Sequence, residues 1–304
     1  MSKFDAVGFG ALNVDKLFRV NRIAAAEEES FVTDFAESCG GSAANAMVGL
    51  ARLGRNVGFI GKVASDREGK MLLEDFGKEG VDVKGITVVK EGRSGMVMGF
   101  VDEKGERALY IDSGVNDGKE FNETVKRYVS RTRFLHLTSF VGEESFKAQK
   151  KTVETLSENI KVSFDPGALY ARKGLAALEP IVERTFVLMP NAGELEMLTG
   201  TADYRKGAEV MLKKGVKVVV VKLGSKGCYV TDGEQNCHAN PFKVSVVDTT
   251  GAGDAFCAGF LYGLIECRSL AECGKLGNFV ASRCITRMGA RAGLPTLKDL
   301  TRNM

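Results

Sequence analysis

Short apolar runs alternate with helical stretches through the second half of the chain, and this alternation restricts the possible folds most. Strands are predicted at 134–140, 162–165, 186–190 and 218–223, and helices between them include 144–159 and 193–199. The alternation is typical of a mostly parallel sheet with helices on both faces. Because ligands of such sheets bind outside the carboxyl ends of the strands, we expect the functional site at that edge.

The first half shows a similar rhythm with additional extended segments. A buried strand is predicted at 6–10, followed later by a strand, a helix and a strand at 57–63, 67–77 and 86–89. Extended segments, two of them flanking a glycine-containing turn, occupy 12–20, 31–36, 96–101 and 107–111. We expect these four segments to form a small sheet that projects as a lid, built from roughly 12–38 and 92–113.

A glycine-rich turn, Gly251-Ala252-Gly253, precedes a predicted helix in which Phe256 and Phe260 recur on one face. The turn should therefore lie at the helix N-terminus, where unpaired backbone N–H groups suit a phosphoryl group. Glycine also lets the backbone approach an anion closely. Asp254 would stand beside this site and could take a proton from an attacking hydroxyl. The alternative is a plain turn with a favourable acidic residue in the first helical turn.

A second glycine pair, Gly40-Gly41, also enters a predicted helix, for which Ser42 is the expected N-cap. Asn45 follows among small and apolar neighbours, where a packing role explains it poorly. Asn13 and Asp15 are two residues apart on an extended segment and therefore face the same side. This pair could hold sugar hydroxyls, and the alternative is a solvated strand face.

Composition and charge exclude several other classes of function. The net charge of +3 gives no indication of a nucleic-acid partner, and no apolar run reaches transmembrane length. The start of the chain does not resemble a signal peptide, and the seven cysteines are scattered without a CxxC pair. We therefore expect a cytoplasmic protein with reduced thiols and neither a membrane nor a nucleic-acid partner.

The histidines and one glycine-containing motif bear on other enzyme classes. His136 and His238 are the only histidines, and neither has a partner at metal-ligand spacing. A zinc site or a catalytic triad that depends on histidine is therefore not expected, and His136 is expected to be a packed strand residue. Gly8-Phe9-Gly10 suggests a dinucleotide-dependent dehydrogenase, but the third glycine position holds Asn13 and no clear helix follows.

Taken together, the motifs resemble those of the ribokinase, or PfkB, family of carbohydrate kinases over nearly the whole chain. Residues 248–256 match the family's C-terminal motif, and Gly40-Gly41 followed by Asn45 matches the N-terminal motif. Asn191-x-x-Glu194 matches a third motif, near the metal and phosphates. No GxxxxGK[ST] loop occurs, so phosphate binding of the Walker kind is excluded.

The resemblance implies an α/β fold, a ribokinase-like three-layer α/β/α sandwich with a mostly parallel sheet and a small β-sheet lid, as one domain over 1–304. It also implies ATP, Mg²⁺ and phosphorylation of an alcohol group of a sugar. By motif position, the family's catalytic base and anion hole are matched by Asp254 and by Gly251, Ala252 and Gly253. Its substrate-binding positions are matched by Asn13, Asp15, Gly40, Gly41 and Asn45, with Glu143 as a further candidate. Its nucleotide-binding positions are matched by Asn191, Lys222, Gly224, Ser225, Gly227 and Asn278.

The resemblance also implies ion sites and a partner. Glu194 would act on Mg²⁺ through water or phosphate, and a potassium site would draw on Asp248, Thr250, Cys284, Arg287 and Gly289. The last three could supply only backbone carbonyls, and the alternative is that Asp248 and Thr250 simply cap the turn. We further expect a homodimer through the lid, since pairing would cover its apolar face and edge.

Two departures from the family pattern leave the acceptor open. Lys222 replaces a small hydroxyl residue, and Ser42-Ala43 replaces Lys-Gly. A nucleoside kinase acting on adenosine, inosine or cytidine is the nearest alternative, with Phe18 or Phe100 as candidates to contact a base. A non-catalytic sugar-binding protein is a further alternative, against which Asp254 and the complete glycine-rich turn argue.

Overall fold

Two sheets organise the chain, and the computed structural model describes residues 3–303. The strands, in chain order, are β1 Phe4–Phe9, β2 Asn13–Val20, β3 Val32–Gly40, β4 Val57–Ala64, β5 Asp82–Val89, β6 Gly95–Val101, β7 Arg107–Asp112, β8 Thr132–Thr138, β9 Lys161–Asp165, β10 Thr185–Leu188, β11 Val218–Lys222, β12 Cys228–Thr231 and β13 Asn236–Ala239. Nine of them form the large sheet in the order β13-β12-β11-β10-β9-β8-β1-β4-β5. All neighbouring pairs from β11 to β5 are parallel, and β12 and β13 are antiparallel additions at one edge.

Helices cover both faces of the large sheet. In chain order they are α1 Ser42–Arg52, α2 Arg67–Glu79, α3 Glu123–Val129, α4 Glu143–Glu154, α5 Gly167–Ala171, α6 Leu175–Val182, α7 Ala192–Thr199, α8 Tyr204–Lys213, α9 Ala252–Ile265, α10 Leu270–Cys284 and α11 Leu297–Asn303. One hydrophobic core includes side chains of α1, α2, α9, α10 and α11, and a second includes side chains of α3 to α8. None of the helices within 3–303 is long and apolar enough to cross a membrane.

The strand β11 explains why the central strands are continuous apolar runs. Val218 and Val220 pack into the first core, whereas Val219 and Val221 pack into the second. Because successive side chains of a strand point to opposite faces, a strand between two helical layers needs apolar residues at every position. The predicted three-layer α/β/α sandwich is therefore confirmed.

The remaining four strands form the smaller sheet, in the order β3-β2-β6-β7. They come from the segments that the sequence assigns to a lid. In the centre of this sheet Asp15 lies opposite Ser38 on one side and Val97 on the other. The register turns Asn13, Asp15 and Leu17 toward the cleft between the two sheets, where all three line a cavity.

Some helix ends differ from those predicted from the sequence, because residues that form turns compete there with continuation of the helix. The helix expected to reach residue 159 ends at Glu154, because the following residues form a turn in which the Ile160 N–H donates to the Ser157 carbonyl. Gly41, not Ser42, is the N-cap of α1. His136 lies buried on β8 with Nδ1 3.0 Å from the Ser163 hydroxyl, and burial lowers the pKa of His136 to about 4.

Candidate active site

Two cavities meet at the carboxyl edge of the large sheet. One, of about 440 Å³, lies under the lid, and the other, of about 720 Å³, lies over the strand ends. Both are lined by Ser42, Ser139, Thr249, Ala252, Gly253 and Asp254. We call them the acceptor cavity and the donor cavity. The glycine-rich turn predicted from sequence therefore lies at their junction.

The turn begins α9 as the sequence pattern predicts. Gly251 is the N-cap with φ of 75°, a left-handed conformation that favours glycine. A Cβ at this position would also lie 2.5 Å from the Cβ of Ala290, so the close packing excludes any side chain. The helix N-terminus consequently faces the junction of the cavities, an arrangement suited to binding an anion.

Asp254 lies in the first turn of α9, where it meets Asn45 of α1. The amide Nδ2 of Asn45 donates to Asp254 Oδ2 at 2.8 Å. Burial raises the pKa of Asp254 to about 7, although the hydrogen bond from Asn45 favours the charged form. A carboxyl group with a pKa near neutrality is suited to general-base catalysis.

The acceptor cavity contains most of the predicted substrate residues. Asn13, Asp15, Gly41 and Asn45 line it. Gly40 lies behind Asp15: a Cβ on Gly40 would come within 2.1 Å of Asp15 Oδ2, so glycine is needed for close approach. Burial raises the pKa of Asp15 to about 6, with an opposing effect of the Arg291 guanidinium.

Glu143, the further candidate for substrate binding, lies apart from the other predicted substrate residues. Glu143 begins α4, is exposed, and pairs with Lys173 at 2.9 Å outside the cavity lining. The neighbouring positions inside the cavity are instead taken by Asn116, Asp117 and Ser139.

Asn116 was missed because it lies in a short 3₁₀-helix, Gly114–Gly118. It is buried, and its Nδ2 donates to the Leu12 carbonyl at 2.7 Å and to Asn13 Oδ1 at 2.9 Å. It thereby fixes the side chain of Asn13 at the start of the lid. A polar residue in a helix of five residues carries no periodic signal, so only a comparison of related sequences could have indicated it.

The donor cavity contains all the predicted nucleotide residues: Asn191, Lys222, Gly224, Ser225, Gly227 and Asn278. Apolar side chains, including Phe242, Val244 and Val246, line it as well. Asn278 donates to the carbonyl oxygens of Ala239 and Asn240 at 2.9 and 3.1 Å and so holds the segment that leads to Phe242. Apolar side chains beside polar strand ends are suited to a nucleotide base and its phosphates.

Lys222 ends β11 and points toward the turn. Its Nζ lies 2.6 Å from Asp165 Oδ2 and only 3.3 Å from the position a Cβ on Gly253 would occupy. Burial disfavours the charged ammonium, but the Asp165 and Glu194 carboxylates more than offset this and hold the pKa of Lys222 above its usual value. The side chain therefore supplies a fixed positive charge next to the glycine-rich turn.

Asn191 and Glu194 form a reciprocal capping box at the start of α7. Asn191 Oδ1 accepts from the Glu194 N–H at 2.8 Å, and Glu194 Oε2 accepts from the Asn191 N–H at 2.9 Å. The second carboxylate oxygen of Glu194 remains available. Nearby, the buried Asp165 Oδ1 has no hydrogen-bond partner within 3–303. Carboxylate oxygens of this kind fit Mg²⁺ carried by a nucleotide.

The two segments assigned to a potassium site lie side by side. Asp248 Oδ1 accepts from the N–H and the hydroxyl of Thr250, at 3.0 and 2.8 Å, and its Oδ2 accepts from the Gly289 N–H at 2.8 Å. The Cys284 thiol lies 3.6 Å from the Thr250 carbonyl oxygen. Asp248 thus caps the turn and also joins the two segments, while Arg287 is exposed.

Comparisons with known proteins agree with this geometry. Residues 4–297 match the pfkB family of carbohydrate kinases. A protein of Archaeoglobus fulgidus named as an uncharacterized sugar kinase is 48% identical over 83% of this chain and 100% of its own length. An ATP-dependent ribose-1-phosphate kinase of Halopiger xanaduensis is 31% identical over 93% of this chain and 92% of its own.

Solved structures show the same fold. The crystal structure of a ribokinase from Thermotoga maritima superimposes with a TM-score of 0.88 and 27% identity, covering 99% of this chain and 100% of that one. The family match extends over nearly the whole described chain and includes the glycine-rich turn and both cavities. The chain therefore belongs to the pfkB family of carbohydrate kinases and is an ATP-dependent carbohydrate kinase.

Proposed function

We propose that the protein transfers the γ-phosphoryl group of ATP to an alcohol group of a sugar bound in the acceptor cavity, with Asp254 as the general base. Asn13, Asp15 and Asn45 would hold the sugar hydroxyls. The N–H groups of Gly251, Ala252 and Gly253 would bind the transferring group. The observation that carries the proposal is the position of Asp254 and the turn at the junction of the two cavities.

The reaction requires little covalent chemistry from the protein, because phosphoryl transfer is mostly positioning and charge stabilisation. The acceptor oxygen forms a bond to the γ-phosphorus as its proton passes to Asp254, and the bond to the bridging oxygen of ADP breaks. The turn and the Lys222 ammonium stabilise charge on the phosphoryl oxygens. Bound Mg²⁺ would neutralise charge on the phosphates, with Glu194 and Asp165 facing it. The lid would exclude water.

A coupled assay of ADP release tests this proposal. The panel contains ribose, fructose, 2-keto-3-deoxygluconate, adenosine, inosine and cytidine, with ribose 1-phosphate added because of the Halopiger relative. Asp254→Asn protein, purified identically, corrects for contaminating kinases. We expect turnover with at least one sugar or sugar acid. Release of ADP with nucleosides alone would support the alternative. If none of the acceptors in the panel led to ADP release, the proposal would be contradicted.

The nucleoside alternative loses its sequence-based support in the structure. Phe18 and Phe100 stack on each other, with ring centres 5.1 Å apart, and neither lines the acceptor cavity. Among the residues that line this cavity none is aromatic. Because a base is most readily held by an aromatic surface, the cavity favours a sugar.

Replacing Asp15 should weaken sugar binding selectively. Loss of a hydrogen bond to a charged group costs about 1.5–3 kcal/mol, so in Asp15→Ala we expect the KM for the sugar to rise about ten- to hundredfold. The KM for ATP should stay nearly unchanged. Asp34→Ala, an exposed carboxylate of the same small sheet, is the matched control. Equal losses toward both substrates would point to misfolding or to a different role of Asp15.

Potassium should activate the enzyme if the Asp248 and Gly289 segments bind it. A cation there would fix the carbonyls of the turn and help aim its N–H groups, which is preorganisation. We expect activity to rise when K⁺ replaces tetramethylammonium at constant ionic strength, with Na⁺ less effective. Constant ionic strength removes general screening as a cause. Indistinguishable rates in thoroughly K⁺-depleted enzyme would exclude the site.

A homodimer through the lid is supported by an aromatic cluster on the small sheet. Phe18 and Phe100 stack there, and Phe35 and Tyr110 beside them are 50% and 59% exposed. We expect light scattering to give twice the chain mass, and Tyr110→Asp to give a monomer. Val88→Asp, which changes an exposed apolar residue on β5, should leave the dimer intact. A monomeric wild-type protein at assay concentrations would exclude this arrangement.

A further inference from the structure

Arg291, in the segment between α10 and α11, contacts Asn45, which lines the acceptor cavity. Only 8% of its surface is exposed. Its Nε donates to Asn45 Oδ1 at 2.7 Å, one terminal nitrogen pairs with Asp75 of α2, and the other lies 3.5 Å from the Gly40 carbonyl oxygen. The guanidinium also lies 5.8 Å from the centre of the Phe76 ring. A single buried side chain thus links α2, the end of β3 and α1.

The contact with Asn45 determines which way its amide faces. A guanidinium has only donors, so the atom of Asn45 that meets Arg291 must be the amide oxygen. The amide nitrogen then points to the other side, where it donates to Asp254 Oδ2 at 2.8 Å. Arg291, Asn45 and Asp254 therefore form a chain of two hydrogen bonds in which each donor and acceptor role is fixed.

We propose that Arg291 is a positioning residue for phosphoryl transfer: through Asn45 it holds the Asp254 carboxylate in place for the acceptor hydroxyl. This inference rests on the proposed role of Asp254. Without a donor at position 291, the amide oxygen of Asn45 would lie buried without its hydrogen-bond partner, and only the contact with Asp254 would still hold the amide. The amide could then tilt away from the position that aims its N–H at the carboxylate.

The charge at position 291 must be the same in the variants that are compared, since Arg291 and Asp254, the two ends of this chain of hydrogen bonds, both have charged or titratable neighbours. Those around Asp254 are Asp165, Lys222, Cys257 and Cys284. Those around Arg291 are Asp15, Cys39, Arg52, Asp75 and Glu79. A comparison between two neutral replacements of Arg291 leaves all these groups equally affected.

Arg291→Gln and Arg291→Met form such a pair. Both are neutral and similar in length, and both lose the ion pair with Asp75, but the Gln Nε2 can occupy the place of the arginine Nε and donate to Asn45. We expect kcat/KM for the sugar identified in the screen to fall about ten- to hundredfold in Arg291→Met. In Arg291→Gln we expect most of this loss to be recovered. KM for ATP should change little in either variant.

The pH profile separates positioning from a merely structural role. The amide N–H of Asn45 favours the charged form of Asp254, so a weaker, misaligned bond in Arg291→Met should move the acidic limb of kcat/KM to higher pH. Arg291→Gln should keep the limb closer to its wild-type position. Equal kinetics and equal pH profiles of the two variants would overturn the proposal.

A measurement without turnover keeps this inference separate from the proposed function. The side-chain amide of Asn45 can be assigned in ¹H–¹⁵N spectra by its loss in Asn45→Ala. In the wild-type protein, without sugar or ATP, we expect its resonances to titrate with Asp254, whose pKa lies at about 7. They should persist in Arg291→Gln and shift or broaden in Arg291→Met. Wild-type Asn45 amide protons that exchange with solvent as fast as those of an exposed asparagine would overturn the proposal even if neither variant folds, because the amide would then not be held at both ends.

Asp75→Asn provides the structural control. Asp75 is partly exposed and contacts Arg291 without contacting the cavities. Asparagine can still accept a hydrogen bond from the guanidinium, so we expect a lower melting temperature with kcat/KM within about twofold of wild type. A loss of activity in Asp75→Asn as large as that in Arg291→Met would attribute the effect to packing and overturn the positioning role.

Discussion

Asp254→Asn is expected to lower kcat by about 10²–10⁴-fold, because it removes the general base and keeps the shape of the side chain. The asparagine can still accept a hydrogen bond from Asn45, so the fold should be preserved. Steady-state kinetics with the sugar from the screen measure the loss, and binding of ATP should change much less. A folded Asp254→Asn enzyme with a near wild-type kcat would refute the assignment.

A matched control comes from the same cavity. Asp117 is another carboxylate in the lining, besides Asp15 and Asp254, and its Oδ1 accepts from the Gly142 N–H. Asp117→Asn makes the same chemical change at a position that does not touch the glycine-rich turn. We expect Asp117→Asn to affect mainly the KM for the sugar. A kcat loss as large as that of Asp254→Asn would mean that charge in the cavity, and not the base, is responsible.

The pH dependence follows from the raised pKa of Asp254. Burial raises this pKa to about 7, and only the ionised carboxylate can accept a proton. Activity should therefore be present above the pKa and be lost as the pH falls through it, with kcat/KM decreasing about tenfold per pH unit on the acidic side. Lys222 favours the ionised form, so its removal should move this limb to higher pH.

Lys222→Met is expected to have the second largest effect, on both stability and turnover. It leaves the Asp165 carboxylate buried without its ion-pair partner, which should lower the free energy of unfolding by about 3–5 kcal/mol. It also removes the fixed positive charge beside Gly253, so kcat should fall about 10²-fold. Urea denaturation and steady-state kinetics measure the two effects.

Two further variants separate these effects. In Lys222→Met/Asp165→Asn both charges of the buried ion pair are removed together, so we expect much of the stability to return while kcat stays low. Recovery of the wild-type kcat would show that Lys222 serves only as a counter-ion. Lys226→Met, the same substitution at an exposed position four residues on, should change the unfolding free energy by no more than about 0.5 kcal/mol.

Local patterns were sufficient for the fold and for the glycine-rich turn. The apolar run at 218–221 has to lie between two helical layers, because every side chain in it is apolar. Gly251 and Gly253 precede a helical repeat, so their place at a helix N-terminus follows from spacing alone. Element ends were less well predicted, as α4 shows, because turn-forming residues compete with the helix over one or two turns.

The sequence by itself determined the elements, the kinase family and the residues of the two glycine-containing motifs, because these depend on neighbours a few residues apart. Only the tertiary structure decided how they combine. Asn45 contacts Asp254 and Arg291, which are 209 and 246 residues away in the sequence. Lys222 contacts Asp165, which is 57 residues away in the sequence. Such contacts depend on the strand order and on which helix packs on which face, and neither is encoded in a local period. The same reason explains why Glu143 lies outside the cavity and why Asn116 and Arg291 gave no signal in the sequence.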